Sequence, residues 1–168
     1  MGEISTLYDE DFVLWSKQQA EALRAAGSGT TNRPIDWENV AEEIESLGIS
    51  QRSALKSQIG RIIEHLMKLE FSPAADPRRG WTGSIDDARN EIERVLEDSP
   101  SLRREIDAAI AAETKRTLRK AIRALEEYGE IVSATVARLR SRTYTAEQVL
   151  GDWFPPEPGS ELPHDEEQ

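Results

Sequence analysis

The chain contains no cysteine and only two histidines among its 168 residues. Without thiols it forms no disulfide, no thiolate zinc site and no cysteine nucleophile. The two histidines, His65 and His164, are too few for a site in which one chain supplies several imidazoles. Gly-rich phosphate loops, His-Glu-x-x-His pairs and Gly-x-Ser-x-Gly elbows are also absent from the sequence. The sequence therefore lacks the common catalytic motifs.

Long apolar runs are missing too. No window approaches the roughly eighteen apolar residues that a membrane span needs, so we expect no contact with the membrane core. The first twelve residues carry four acids, no base and no apolar block, which is unlike a secretory signal. Together with the absence of cysteine, these features predict a cytoplasmic protein.

The charge of the chain is acidic overall and unevenly distributed. The net charge is −11, and 32% of the residues are charged against 38% hydrophobic. Residues 1–50 carry 3 bases and 10 acids, whereas residues 100–142 carry 10 bases and 6 acids. An acidic chain is repelled by phosphate backbones, which argues against nucleic acid as a general partner. The basic stretch is interpreted either as a local patch or as a solvated helix face.

The spacing of apolar residues predicts helices along most of the chain. Helices are expected over about residues 9–26, 37–47, 51–71, 85–96, 100–128, 131–139 and 145–150. Asp36 and Gly48 are expected to cap the second helix, Ser84 the fourth, and Ser99-Pro100 to open the fifth. The third helix has the most regular stripe and is expected to be central. Its members are Leu55, Ile59, Ile62, Leu66 and Leu69.

These elements predict an all-α fold, a bundle of about six to seven helices in one domain over residues 1–154. Loops are expected over residues 28–34 and 72–83, with a break at Gly129 and an apolar plug at Trp153-Phe154. Residues 155–168 contain four prolines, five acids, one leucine and no aromatic residue. Such a composition cannot bury enough apolar surface to order itself, so we expect a disordered tail.

The acidic residues Glu42, Glu43 and Glu45 could form a polar cluster with His65. Helical carboxylates three or four residues apart hold divalent metals in some bundles. A second Glu-x-x-Asp motif, which helical pyrophosphohydrolases require, is absent, and a solvated acidic face explains the same pattern. If the second and third helices packed antiparallel across a turn at residues 48–50, Glu43 would approach His65. We assign no metal and no cofactor.

A basic-aromatic cluster is expected in the loop before the fourth helix. Arg78, Arg79 and Trp81 combine guanidinium groups with a ring that can stack on a base. The alternative is that Trp81 anchors this loop on the bundle.

Several stretches together resemble a known bacterial family, the one catalogued as domain of unknown function number twenty-nine. The likeness covers about residues 6–155 and is most specific over residues 36–48. The remaining stretches are residues 7–12 with Trp15, residues 65–68, Trp81, Ile85, Arg89, residues 97–102, Tyr144-Thr145 and Phe154-Pro155. The resemblance implies an all-helical fold and a bacterial origin, and it implies no activity, cofactor or catalytic residue.

The function is unknown from these observations. The leading hypothesis is a small helical binding or assembly module that acts through protein–protein contacts, either with a partner protein or as a homodimer. The dimer is suggested by the apolar stripe Leu118, Ile122 and Leu125, which residues 131–139 or a second subunit must cover. The alternatives are a metal-dependent phosphohydrolase using helix carboxylates and a nucleic-acid-linked regulator. The pattern favours a protein that is not an enzyme.

Overall fold

In a computed structural model of the chain, the residues described are 3–27, 36–72, 76–128 and 133–156. These ranges contain seven α-helices, one 3₁₀ helix and no strand, so the predicted all-α bundle is confirmed. The helices are α1 (Glu3–Glu10), α2 (Phe12–Ala26), α3 (Trp37–Phe71), α4 (Arg78–Asp98), a 3₁₀ helix (Pro100–Glu105), α5 (Ile106–Tyr128), α6 (Ser133–Ser141) and α7 (Ala146–Leu150). The predicted loop 28–34, the break at Gly129 and residues 157–168 of the predicted tail lie outside the described ranges.

The predicted second and third helices are one continuous helix, so the turn expected at residues 48–50 is wrong. Helix α3 has 35 residues and runs for about 50 Å at 1.5 Å per residue. Asp36 caps its start as predicted, since its carboxylate accepts a hydrogen bond from the Asn39 amide at 3.2 Å.

Gly48 lies in the middle of α3 because another helix crosses closely there. A Cβ atom at Gly48 would lie 2.4 Å from the Ser16 hydroxyl oxygen of α2. Ser16 is itself buried and donates a hydrogen bond to the Val13 carbonyl at 3.0 Å. The glycine that predicts a helix stop therefore serves close helix packing.

The first predicted helix is divided at Asp11. The Asp11 carboxylate caps α2 by accepting from the Leu14 amide at 2.8 Å. It also accepts from the Ser101 amide at 2.6 Å and the Ser101 hydroxyl at 3.0 Å. Because these contacts join two distant segments, the break fixes the start of α2 on the start of the 3₁₀ helix.

Helix α4 begins seven residues earlier than the predicted start at residue 85. It starts at Arg78, after Pro77, so the expected loop up to Gly83 and the cap at Ser84 are wrong. Ser99 and Pro100 do occupy the first positions of the following 3₁₀ helix, but the Ser99 hydroxyl accepts from the Val13 amide at 3.3 Å rather than capping its own helix.

The core lies around the second half of α3, as predicted. The large buried side chains of α3 are the members of the predicted stripe together with Ile63 and Met67. They pack with apolar residues of α4, the 3₁₀ helix, α5 and α7. These partners are Ile85, Ala88, Ile92, Val95, Leu96, Leu102, Ile106, Ala109, Ile110 and Val149.

Helices α3 and α5 run parallel to one another. Arg52 pairs with Glu105 at 2.9 Å, and a Cβ atom on Gly60 would lie 3.0 Å from a Glu113 carboxylate oxygen. Both contacts join residues 53 positions apart, so the two helices keep the same register over this length. Helix α2 is antiparallel to the first half of α3, because Ser16 lies by Gly48 whereas Gly27 lies by Trp37.

The C-terminal end of the domain is fastened by Arg89 of α4. Its guanidinium is buried and donates to the carbonyls of Gln148, Val149 and Trp153 at 2.8–3.2 Å. The same group lies over the Phe154 ring, 4.8 Å from its centre. Trp153 and Phe154 pack on the core, which confirms the predicted plug, and Pro155 is buried beyond them. None of the described helices is both long and apolar enough to cross a membrane.

Candidate functional site

The acidic residues of the predicted cluster lie at the N-terminal half of α3 and face outward. Glu42 and Glu43 are exposed. Glu45 accepts a hydrogen bond from Arg24 at 2.7 Å, and Glu38 accepts one from the same guanidinium at 3.2 Å. Hydrogen bonding to Glu45 and Glu38 raises the pKa of Arg24. Glu45 and Glu38 therefore link α3 to α2.

His65 is far from these acids. It lies on the same helix as Glu43 and 22 positions later, which corresponds to about 33 Å. The antiparallel packing that would have brought Glu43 to His65 does not occur. Within the described ranges no three His, Asp or Glu side chains are close enough to hold a metal ion.

The predicted cluster of Arg78, Arg79 and Trp81 lies on the first turn of α4 and is divided by packing. Arg78 donates to the Leu69 carbonyl at 2.8 Å and so ties the start of α4 to the end of α3. Trp81 is half-buried against the core, while Arg79 is exposed. Trp81 packs on the core, as the anchor interpretation predicts, and binding of nucleic acid by this cluster stays an untested prediction.

A polar pocket of about 350 Å³ lies between α3 and α5 around His65. It forms where Gly60 lets Glu113 approach α3 closely, since any larger side chain would contact that carboxylate. Every lining residue is glycine or carries a polar or charged side chain. The pocket consists of Ser57, Gly60, Arg61, Glu64, His65, Glu113, Arg116, Thr117 and Lys120.

The His65 imidazole is held in an unfavourable place for a charge. Burial, followed by the positive charges of Lys68 and Arg61, lowers the pKa of His65, and Glu64 only partly offsets this. Its Nδ1 atom is buried and has no hydrogen-bond partner among the described residues. An unsatisfied buried nitrogen is unusual in a protein, so it marks this pocket for further attention.

An apolar groove of about 600 Å³ lies between α5 and the segment that joins α6 to α7. Its apolar wall includes Ile110, Ala111, Leu118 and Ile122. Lysine and arginine side chains also line it, namely Lys115, Arg119, Arg140 and Arg142. An apolar surface bordered by cations suits an acidic, amphipathic segment.

A polar network holds one edge of this apolar groove. Glu70 of α3 accepts from Arg142 at 2.8 Å and from the Tyr144 hydroxyl at 3.0 Å. The Arg142 guanidinium also lies over the Tyr144 ring, 4.4 Å from its centre. Burial and the neighbouring Glu70 carboxylate raise the pKa of Tyr144 well above its ordinary value of about 10. The phenol therefore stays protonated and keeps donating to Glu70.

His65 and Leu118 could be singled out from the sequence, but the residues that surround them could not. Lys120 and Thr117 of the polar pocket lie on a helix more than fifty residues away from His65, and only the excess of bases in residues 100–142 pointed to that helix. The cations of the apolar groove were part of the same excess. The contacts that bring these residues together depend on helix register, which no local pattern reports.

The fold and its long-range polar contacts define the class of the protein as an all-helical bundle domain. Residues 7–154 match the family described as Domain of unknown function DUF29, and the chain belongs to this family. It is also similar to a solved α-helical protein of unknown function from Rhodospirillum rubrum, with 25% identity and a TM-score of 0.66. That likeness covers 88% of this chain and 91% of the other. No curated protein matches the chain.

Most of the motifs that carried the resemblance have structural roles. The stretches 7–12 and 97–102 meet through Asp11 and Ser101. Arg89 binds the segment that contains Phe154. Tyr144 binds Glu70, and Thr145 caps α7 with a reciprocal bond to Gln148. The contacts show no such role for His65, whose Nδ1 atom is buried and has no hydrogen-bond partner among the described residues.

Proposed function

We propose that this protein is an assembly module that self-associates through two complementary surfaces of one chain. The first half of α3 in one copy would dock into the apolar groove of a second copy. The observation that carries the proposal is the apolar groove itself. Its apolar wall can bind the apolar side of a helix, and the lysine and arginine side chains at its border can pair with acids of that helix.

The donor surface is the outward face of α3 around Val40 and Leu47. These two side chains are seven positions apart on one helix face and are 41% and 48% exposed. Ile44 lies between them, and Glu43 borders the same face. We refer to these four residues, three apolar and one acidic, as the docking face. Large hydrophobic side chains exposed in this way mark surfaces for association.

Charge complementarity favours a second copy as the occupant. Residues 1–50 carry seven more acids than bases, and this range includes the docking face. Residues 100–142 carry four more bases than acids, and this range includes α5. Such opposite potentials attract each other and fix the orientation of a complex. One copy carries both surfaces, so a two-fold dimer would use each of them twice.

The test is the molar mass in solution with a matched pair of variants. We expect the molar mass measured by light scattering to rise towards twice the 18.9 kDa of one chain as the protein concentration increases through the micromolar range. Leu47→Asp should keep the protein monomeric because it replaces an apolar contact of the docking face with a charge that the apolar wall of the groove would have to bury. Ile49→Asp is the control, since Ile49 is 55% exposed but lies about 200° around the axis of α3 from Leu47.

A charge exchange sharpens the test. Arg119→Glu should weaken the dimer, and adding Glu43→Lys should restore part of the affinity. High salt should weaken association of the wild-type chain, because exposed charges are screened. A mass of 18.9 kDa at every concentration, or equal effects of the two aspartate variants, would contradict the proposal.

The proposed setting is the cytoplasm of a bacterium. The family resemblance and the Rhodospirillum rubrum origin of the similar solved protein support this part of the proposal. Fractionation of cells that express the native chain, with detection in the soluble cytoplasmic fraction, tests it.

A further inference from the structure

We propose that the polar pocket between α3 and α5 binds the phosphate group of a small phosphorylated metabolite. The pocket shares no lining residue with the apolar groove. The proposal is therefore independent of the self-association described above.

The cations of the polar pocket outnumber its acids. Two of these cations form no ion pair with any described residue. Glu64 pairs with Lys68 at 2.6 Å, and Glu113 pairs with Arg116 at 3.7 Å. Both carboxylates are thus partly neutralised by neighbours on their own helices. Among the described residues Arg61 and Lys120 form no ion pair, and they line the pocket from different helices. An oxyanion between them would bridge α3 and α5.

The pocket also supplies uncharged hydrogen-bonding groups. Ser57 and Thr117, which carry hydroxyl groups, line it, and Thr117 is buried. His65 also lines it, and its buried Nδ1 atom has no partner among the described residues. A phosphate group has several acceptor oxygens and binds best to a mixture of charged and neutral donors. A carboxylate would leave more of these donors unsatisfied.

The size and the walls of the polar pocket indicate what is attached to the phosphate. At about 350 Å³ the pocket lies within the range of small-molecule sites and exceeds what a phosphate ion fills. Its lining residues have no large apolar side chain, so the walls favour a polyol or sugar rather than an acyl chain. The ligand class is therefore a phosphate monoester of a small polar alcohol.

The experiment is a titration of the full chain with glycerol 3-phosphate and, separately, with inorganic phosphate at constant ionic strength. Calorimetry measures the affinity, and the NMR signals of the His65 ring report whether the ligand enters the pocket. We expect both probes to bind, with the ester at least about tenfold tighter because it fills more of the pocket. Equal affinities would identify the free ion as the source of the phosphate group.

Variants locate the site. Arg61→Gln and Lys120→Gln should each weaken binding of the tighter probe by about tenfold or more, the loss expected for one charge-assisted contact. Arg103→Gln is the control, because Arg103 is exposed on the 3₁₀ helix and lies outside the pocket. Circular dichroism and thermal denaturation confirm that each variant folds.

Three outcomes would overturn the proposal. One is the absence of binding by either probe up to about 10 mM, a concentration at which even a weak specific site would be occupied. Another is equal weakening in the control, which would show a general response to net charge. The third is binding that leaves the His65 ring signals unchanged, since a ligand in this pocket must alter their surroundings.

Discussion

The two halves of α3 belong to one helix but are used in different ways. From Leu55 onwards, its buried residues are large and contact the core on several sides. Before Leu55, the buried residues are Ala41 and Gly48, and the main neighbour is α2. The large residues Val40, Leu47 and Ile49 of this half remain exposed.

This difference shows that residue size follows the number of neighbours. A helix with one close partner packs through small side chains, because these let the two backbones approach. A helix surrounded by partners fills the larger space with branched aliphatic side chains. The first half also carries most of the acids of α3, so the two halves differ in charge as well as in packing.

The largest expected effect comes from the same substitution made in each half. Ile62→Ala should lower the free energy of unfolding by about 2–5 kcal/mol, because Ile62 is completely buried and its truncation leaves a cavity. Ile49→Ala should change it by less than about 0.5 kcal/mol, because Ile49 is 55% exposed. Urea denaturation of both variants measures the difference. Similar losses at the two positions would show that the halves do not differ in packing.

A smaller effect is expected at the crossing of α2 and α3. Gly48→Ala introduces a Cβ atom 2.4 Å from the Ser16 hydroxyl oxygen. Overpacking typically costs about 1–3 kcal/mol, whereas alanine recovers about 1 kcal/mol of helix propensity. We therefore expect a net loss of about 1 kcal/mol.

The partner substitution tests the cause of that loss. Ser16→Ala alone removes a buried hydrogen bond to the Val13 carbonyl, which should cost about 1 kcal/mol. Combined with Gly48→Ala it also removes the clash, so the double variant should be more stable than the sum of the two single losses predicts. Strict additivity in urea denaturation would mean that the two residues do not contact one another.

The smallest expected effect is the pH dependence contributed by His65. Because the folded pKa of His65 is lowered, the unfolded chain takes up a proton first as the pH falls. Stability should therefore decrease below the unfolded pKa of about 6.5, and be unaffected by this group above it. The pKa of His65 is set by burial first, and then by the charges of Lys68, Glu64 and Arg61.

A comparison of the two histidines isolates this contribution. His65→Gln should flatten the stability profile below about pH 6.5, measured in phosphate-free buffer. His164→Gln, which lies outside the described residues, should leave the profile as in the wild type. A profile that His65→Gln leaves unchanged would contradict the prediction, and so would an NMR titration of His65 with a pKa above 6.5.

The sequence allowed the fold class and the core to be predicted because both depend on local periodicity. The stripe from Leu55 to Leu69 has a spacing that only a helix can bury on one side, and Thr145 carries its own cap. Gly48 shows the limit of this reasoning. A glycine after an apolar stripe predicts a helix end, but a glycine at a close helix crossing has the same local pattern, and only the partner helix distinguishes them.

The candidate sites could be predicted only in part for a related reason. His65 stood out because it lies at the edge of the α3 stripe, but Lys120 and Thr117 reach it through the parallel register of α5. The groove likewise depends on how the segment at Arg142 and Tyr144 returns to α5. Register and chain return are properties of the whole bundle, so neither site is encoded in any short stretch.

The clamp formed by Arg89 has a consequence for how the protein is made. Its three carbonyl acceptors follow it by 59 to 64 residues. A ribosome must therefore synthesise almost the entire domain before this guanidinium can donate to these carbonyls. The bonds that join α4 to the C-terminal segment are therefore among the last contacts of the domain that can form during synthesis. Translation of the C-terminal residues is thus the step that supplies Arg89 with its three carbonyl acceptors.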